Sequence, residues 1–144
     1  MTPPLPSTGR ARRAPARVFS CVLLALGVFG FAAAWVLVAL SSGRMGSWMA
    51  ILGAIDIVIV LRLGGWRPGP ARALLAAVAT ACIAILAIWW IIAAHLGAML
   101  GLTPWGSAVR LGFHHAWTLA GIAIGPIDML WMAASVVLAA VASR

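Results

Sequence analysis

The chain consists of long apolar runs separated by short breaks that contain glycine, proline and arginine. The runs occupy residues 18–41, 46–64, 71–95 and 116–142. Each is close to or above the roughly 20 residues that a helix needs to cross the hydrocarbon of a bilayer. The pattern predicts an all-α integral membrane bundle of four transmembrane helices with short connections.

The breaks between the runs are the places where helices should end. Residues 42–44 form a short polar turn, and residues 64–70 combine glycine with proline, which ends a helix and reverses the chain. Thr103 followed by Pro104 has the pattern of an N-cap and a first helical turn. We therefore expect a short surface helix between the third and fourth spans.

Residues 1–17 differ in composition from the rest of the chain. They contain four prolines and four arginines, too little apolar surface to stabilise an ordered structure. We interpret them as a flexible basic tail in front of a transmembrane domain at residues 18–144. The apolar run at residues 18–41 is longer than the roughly 7–15 apolar residues of a secretory signal, which indicates a retained first helix.

The overall composition excludes a soluble globular protein. Hydrophobic residues make up 65% of the chain and charged residues 8%, against about 45–50% and about 25% in soluble domains. Such a chain has too little polar surface to face water all round. The absence of Lys, Asn, Gln, Glu and Tyr is typical of a GC-rich bacterial genome, so we place the protein in a bacterial inner membrane.

Arginine positions predict the orientation in the membrane. Eight of the ten arginines lie in the tail, in the loop after the second span or at the C-terminus, which makes both termini cytoplasmic. Six tryptophans near the opposite ends of the spans would form an aromatic belt on the outer side: Trp35, Trp48, Trp89, Trp90, Trp105 and Trp117. Orientation and anionic lipid explain the net charge of +8, so no nucleic-acid partner is expected.

The two aspartates are the candidate functional residues. Asp56 and Asp128 fall near the midpoints of the second and fourth spans, where an ionised side chain costs about 2.5–3.5 kcal/mol. Both spans run from outside to inside, so we expect the two acids at similar depth. The stretches at residues 52–56 and 124–128 also look alike, which is either a duplicated two-helix hairpin or chance.

Glycines near the aspartates predict close helix contacts. Gly121 and Gly125 form a GxxxG pattern and share a helix face with Asp128. Gly53 lies on the same face of the second span as Asp56. Small residues let a second helix approach closely, which would place each acid against protein rather than lipid.

Three histidines are the remaining candidate ligands. His95, His114 and His115 lie near the outer ends of the third and fourth spans, where they would serve either as interfacial residues or as haem or metal ligands. Neighbouring helical residues point about 100° apart, so His114 and His115 would not both join one site. Cys21 and Cys82 lack the spacing of a redox or metal motif and are expected to pack between helices.

These features favour a non-enzymatic subunit or scaffold of a membrane complex, in which the aspartates and glycine faces contact other helices. Its partners would be the lipid bilayer and either copies of itself or a larger complex, with no metal and no cofactor. An alternative is a small oligomeric transporter or channel that uses Asp56 and Asp128 for proton or cation coupling. A third is a haem or quinone anchor that uses the outer histidines.

Overall fold

The computed structural model describes residues 13–110 and 112–144, without the side chains of residues 13–17, 110 and 113–116. All regular structure in this part of the chain is helical, as predicted. The helices are α1 (Arg13–Ser42), α2 (Met49–Leu63), α3 (Pro70–Leu100), α4 (Pro104–Arg110), α5 (Gly112–Ala123) and α6 (Pro126–Ala142). Residues 1–12 of the predicted tail lie outside the described residues.

Among the described residues, two helices are long and apolar enough to cross a membrane, which indicates a membrane-associated protein. They are the stretch Val18–Ser42 of α1 and the whole of α3, Pro70–Leu100. The third helix continues five residues beyond the predicted end at residue 95 and stops where Gly101 takes a left-handed conformation, with φ of 66°. Glycine adopts that conformation without steric cost, so the residue ends the helix.

The second predicted span is shorter than expected. Helix α2 has 15 residues and is therefore about 22 Å long, against about 30 Å for the hydrocarbon of a bilayer. Residues 46–48 belong to a turn, in which Gly46 has φ of 61°. The indole Nε1 of the buried Trp35 in α1 donates to the Met45 carbonyl at 2.9 Å and fixes this turn against α1.

The fourth predicted span is broken. Helices α5 and α6 meet at an angle of 105° across residues 124 and 125. Pro126 explains the break: it has no N–H for a helical hydrogen bond and disfavours helical geometry in the residue before it. Gly125 is accordingly extended, with φ of −80° and ψ of 168°. The apolar pattern is continuous across residues 116–142, but the helix is interrupted at residues 124 and 125.

Four helices form the bundle: α1, α2, α3 and α6. Helices α2 and α3 each pack against the other three, whereas α4 and α5 pack on α3 from outside the bundle. Most of the buried hydrophobic residues between these helices are alanines, whose small side chains let the helices pack at short distances. The alanines that are at most 5% exposed in this core are Ala32, Ala39, Ala50, Ala54, Ala76, Ala79, Ala87 and Ala139.

Two polar contacts define one end of the bundle. The Ser20 hydroxyl of α1 donates to the Gly64 carbonyl after α2, and Arg72 of α3 donates to the Ser143 carbonyl after α6. The start of α1, the α2–α3 loop and the end of α6 therefore meet. We call this the basic end, because Arg62, Arg67, Arg72 and Arg144 lie there, and we call the opposite end, with the turn at residues 43–48, the turn end.

Candidate functional site

Asp56 occupies the centre of α2, with seven helical residues on each side. Its side chain is half-buried and faces α1, where a Cβ atom added to Gly27 would lie 3.5 Å from Oδ2. Oδ2 is buried and accepts no hydrogen bond from the described residues. Gly27 thus leaves room for the carboxyl group of Asp56, and no described residue donates a hydrogen bond to the buried Oδ2.

Asp56 also borders the outer face of α2. Leu52, Ile55 and Ile59 form this face and are 43%, 44% and 51% exposed. At 100° per residue, Asp56 lies between this face and the side of α2 that packs on α1. The carboxyl group therefore lies in the seam between α1 and α2, where it reaches the perimeter of the bundle.

Asp128 lies in a different setting, in the first turn of α6 at the turn end. Oδ1 accepts a hydrogen bond of 2.5 Å from the Ser47 hydroxyl, and Oδ2 accepts one of 2.9 Å from the Gly125 N–H. The carboxylate thereby binds back to the N-cap residue of α6, as the acid of a capping box does, and attaches α6 to the α1–α2 turn; its negative charge suits a helix N-terminus.

The two acids lie at different levels of the bundle, contrary to the expectation of similar depth. Ser47, the partner of Asp128, precedes Asp56 by nine residues, or roughly two and a half helical turns. The cause is the break at Gly125, which turns the predicted middle of a span into the start of a helix. The similar stretches at residues 52–56 and 124–128 therefore have different structures, one helical throughout and the other containing the break.

The hydrogen bonds of Asp128 give a first prediction. We expect Ser47→Ala to lower the free energy of unfolding by about 1 kcal/mol and Asp128→Ala by about 2 kcal/mol, because the second change also removes the hydrogen bond from the Gly125 N–H at the start of α6. The double variant should lose less than the sum of the two, since both changes remove one shared hydrogen bond. Unfolding by SDS in mixed micelles measures all three values, and strict additivity would contradict the contact.

The glycines predicted to pack helices fall into two groups. Gly53 is buried, and an added Cβ would lie 3.1 Å from Cε1 of Phe31 in α1 and 3.5 Å from Cγ2 of Ile83 in α3. Gly121 in α5 has open space at its Cβ position, and Gly125 is the N-cap residue of α6. Because the chain bends between them, Gly121 and Gly125 do not form one helix face.

The histidines and cysteines form no cluster in the described part of the chain. His95 is exposed, and its Nδ1 lies 2.8 Å from the Ile91 carbonyl, which leaves Nε2 for any ligand. His114 and His115 belong to α5, but their side chains are outside the described part. Within that part, no group of three His, Cys, Asp or Glu could hold a metal ion. Cys21 and Cys82 are exposed, not packed between helices as expected.

Arg72 is a structural residue that the sequence pattern did not reveal. Its side chain is 8% exposed, and it donates from Nε to the Ser143 carbonyl at 2.8 Å and from Nη1 to the Trp66 carbonyl at 3.1 Å. The guanidinium group therefore joins the start of α3, the preceding loop and the end of α6. In the sequence Arg72 counts only as one of the loop arginines, because its partner Ser143 is 71 residues away.

A cleft with both polar and apolar walls opens at the turn end. It has a volume of about 500 Å³ and lies between the end of α1, the α1–α2 turn and the start of α6. Its polar and aromatic lining residues are Ser42, Arg44, Ser47, Trp48, Asp128 and Trp131. The cavities beside α5, by contrast, have almost wholly apolar walls.

Comparison of the chain with models of protein families, with curated proteins and with solved structures finds no match. The structure thus has the features of a helical, membrane-associated protein with an acid in the seam between two helices and a cleft of mixed polar and apolar lining at one end.

Proposed function

We propose that this protein is a small multi-pass protein of a bacterial inner membrane and a non-enzymatic subunit or scaffold of a membrane complex. In this proposal α1, α2, α3 and α6 cross the bilayer, and the local bilayer adapts to the two shorter helices. The arginines support an orientation with the basic end and both termini in the cytoplasm, because the turn end of the bundle carries fewer arginines.

The position of Asp56 is the observation that carries this proposal. At the centre of α2, the seam between α1 and α2 would face hydrocarbon if the bundle were alone in the bilayer. A carboxyl group there costs about 2.5–3.5 kcal/mol when ionised and still lacks hydrogen bonds when neutral. A partner helix that brings a hydrogen-bond donor or a cation to the seam would remove this cost.

The surface beside Asp56 suits a close-packed helix. Gly30 and Ala34 follow Gly27 on α1 at spacings of three and seven residues, so they continue the same side of the helix. Both are exposed, and the Cβ position of Gly30 has open space around it. Asp128, in contrast, already has its partners inside the chain, so we assign the assembly contact to Asp56 alone.

Replacement of Asp56 tests the proposal. After gentle solubilisation of the native membrane, Asp56→Leu should retain about fivefold less of the co-purifying partner than the parent chain, the effect of losing a contact worth about 1 kcal/mol. The bundle itself should stay folded, because the described residues provide no partner for Oδ2. Ile59→Leu, on the neighbouring exposed face, is the matched control and should retain the partner. An unchanged yield of the same partner with Asp56→Leu would overturn the assignment.

A proton-coupled oligomer is the second candidate, and the buried Oδ2 of Asp56 favours it. A carboxyl group without a fixed partner in a seam between helices can bind and release a proton. The purified protein in liposomes would then show proton flux that Asp56→Asn abolishes and Asp56→Glu partly retains. A hydrophobic carbodiimide, which modifies protonated carboxyl groups, would label Asp56. The two experiments together distinguish the hypotheses. If Asp56→Leu loses the partner and the parent protein shows no proton flux, the protein is a subunit and not a proton-coupled oligomer.

A further inference from the structure

The cleft at the turn end combines two opposite charges with two aromatic side chains. Arg44 lies in the α1–α2 turn and Asp128 in the first turn of α6, so the charges come from different parts of the wall. Trp48 and Trp131 both line the cleft, and they are 52% and 40% exposed. The hydroxyl groups of Ser42 and Ser47 already donate within the chain, so they can serve a ligand only as hydrogen-bond acceptors.

Arg44 and Asp128 do not form an ion pair with each other. Asp128 has two donors, Ser47 and Gly125, neither of which carries a charge. The side chain of Arg44 forms no hydrogen bond or ion pair with any other described residue, and only its backbone carbonyl accepts a bond, from Ser42. A ligand that carries both charges would neutralise the cation and the anion at once.

We propose that this cleft binds a phosphoammonium group, that is, a phosphate joined by a short linker to an ammonium group. The planar guanidinium of Arg44 suits the phosphate oxygens. The carboxylate of Asp128 and the indole faces of Trp48 and Trp131 suit the ammonium group, through charge and cation–π attraction. The headgroup of a zwitterionic phospholipid carries this chemistry, and tryptophan side chains favour the depth at which such headgroups lie.

Native mass spectrometry of the full, delipidated chain in detergent tests this site. The protein is incubated with equal amounts of phosphatidylethanolamine and phosphatidylglycerol, which share the phosphate and differ in the ammonium group. The parent chain should retain the zwitterionic lipid about tenfold more than the anionic one, as expected for one charged contact. Arg44→Gln should lower retention of both lipids about tenfold, and Trp131→Leu should reduce the preference for the zwitterionic lipid.

Arg62→Gln is the matched control: Arg62 is exposed at the other end of α2, so this change should leave retention of the zwitterionic lipid unchanged. A second arm uses water-soluble phosphoethanolamine. If this compound displaces the lipid, the site recognises the phosphoammonium group alone. If the lipid stays bound, the site also holds the acyl chains. Equal retention of the two lipids by the parent chain, or unchanged retention in Arg44→Gln, would overturn the proposal. The test is independent of Asp56, so its outcome does not depend on the assembly proposal.

Discussion

Replacing Gly53 by leucine should lower the free energy of unfolding of the bundle by about 2–3 kcal/mol, because overpacking a close helix contact forces neighbouring side chains and backbone apart. Gly53 is where α2 meets both α1 and α3. Already the first added carbon would lie 3.1 Å from the Phe31 ring and 3.5 Å from Ile83. A leucine adds three further carbon atoms to this already close contact. The midpoint of unfolding by SDS in mixed micelles measures the change.

Gly30→Leu is the matched control for this prediction. Gly30 is also a helical glycine in a bundle helix, but it is exposed and has open space at its Cβ position. Its replacement should change the free energy of unfolding by no more than about 0.5 kcal/mol. Gly53→Ala should lie between the two, since the Phe31 ring has to move only a few tenths of an ångström. Equal stability of Gly53→Leu and Gly30→Leu would show that α2 does not approach α1 as described.

Arg72→Met should destabilise the protein by about 3 kcal/mol, because it removes two hydrogen bonds from a buried cation. The carbonyl groups of Ser143 and Trp66 would then lack donors at the basic end. The end of α6 should also lose the favourable effect of a positive charge at a helix C-terminus. We expect earlier unfolding in SDS and faster removal of C-terminal residues by a carboxypeptidase.

Arg67→Met provides the comparison for Arg72, because Arg67 lies in the loop just before α3 and is exposed. It should unfold and be digested like the parent chain. Arg72→Lys should fall between the two variants, since lysine keeps the charge but not the forked geometry that reaches two carbonyl groups. If Arg72→Met and Arg67→Met behaved alike, the contact between α3 and the end of α6 would not stabilise the bundle.

The stability predictions and the assembly proposal concern different surfaces. Gly53 and Arg72 act inside the bundle, whereas Asp56 faces its perimeter through the seam between α1 and α2. Variants that unfold the bundle would lose any partner indirectly. Asp56→Leu is informative because it should remove a partner while the unfolding midpoint of the bundle stays the same or rises, and the two measurements together separate assembly from folding.

Helix positions could be predicted as far as they depend on neighbouring residues. The predicted first and third spans correspond to α1 and α3, because a long apolar stretch without internal breaks has its hydrogen bonds satisfied within the helix itself. The predicted fourth span failed at Gly125 and Pro126. The mean hydropathy of this segment is sufficient for a span. Hydropathy, however, takes no account of the backbone: Pro126 lacks an N–H and constrains the conformation of Gly125.

The sequence could predict which residues belong to the candidate site but not which contacts they make. Asp56 and Asp128 were both recognisable as charges within apolar sequence, and the cost of such charges is a property of the single residue. Their roles differ because Asp128 meets Ser47, 81 residues earlier in the chain, whereas no described residue donates to Oδ2 of Asp56. No spacing rule connects residues so far apart.

The sequence by itself determined that this chain is helical and membrane-associated, because composition and apolar run length set the solvent that each segment prefers. Only the tertiary structure decided which polar groups have partners. Arg72 became a buried link between helix ends, Asp128 became a helix cap, and Asp56 remained in a seam without a donor among the described residues. The physical reason is that hydrogen bonds between helices depend on the positions of atoms that folding alone brings together.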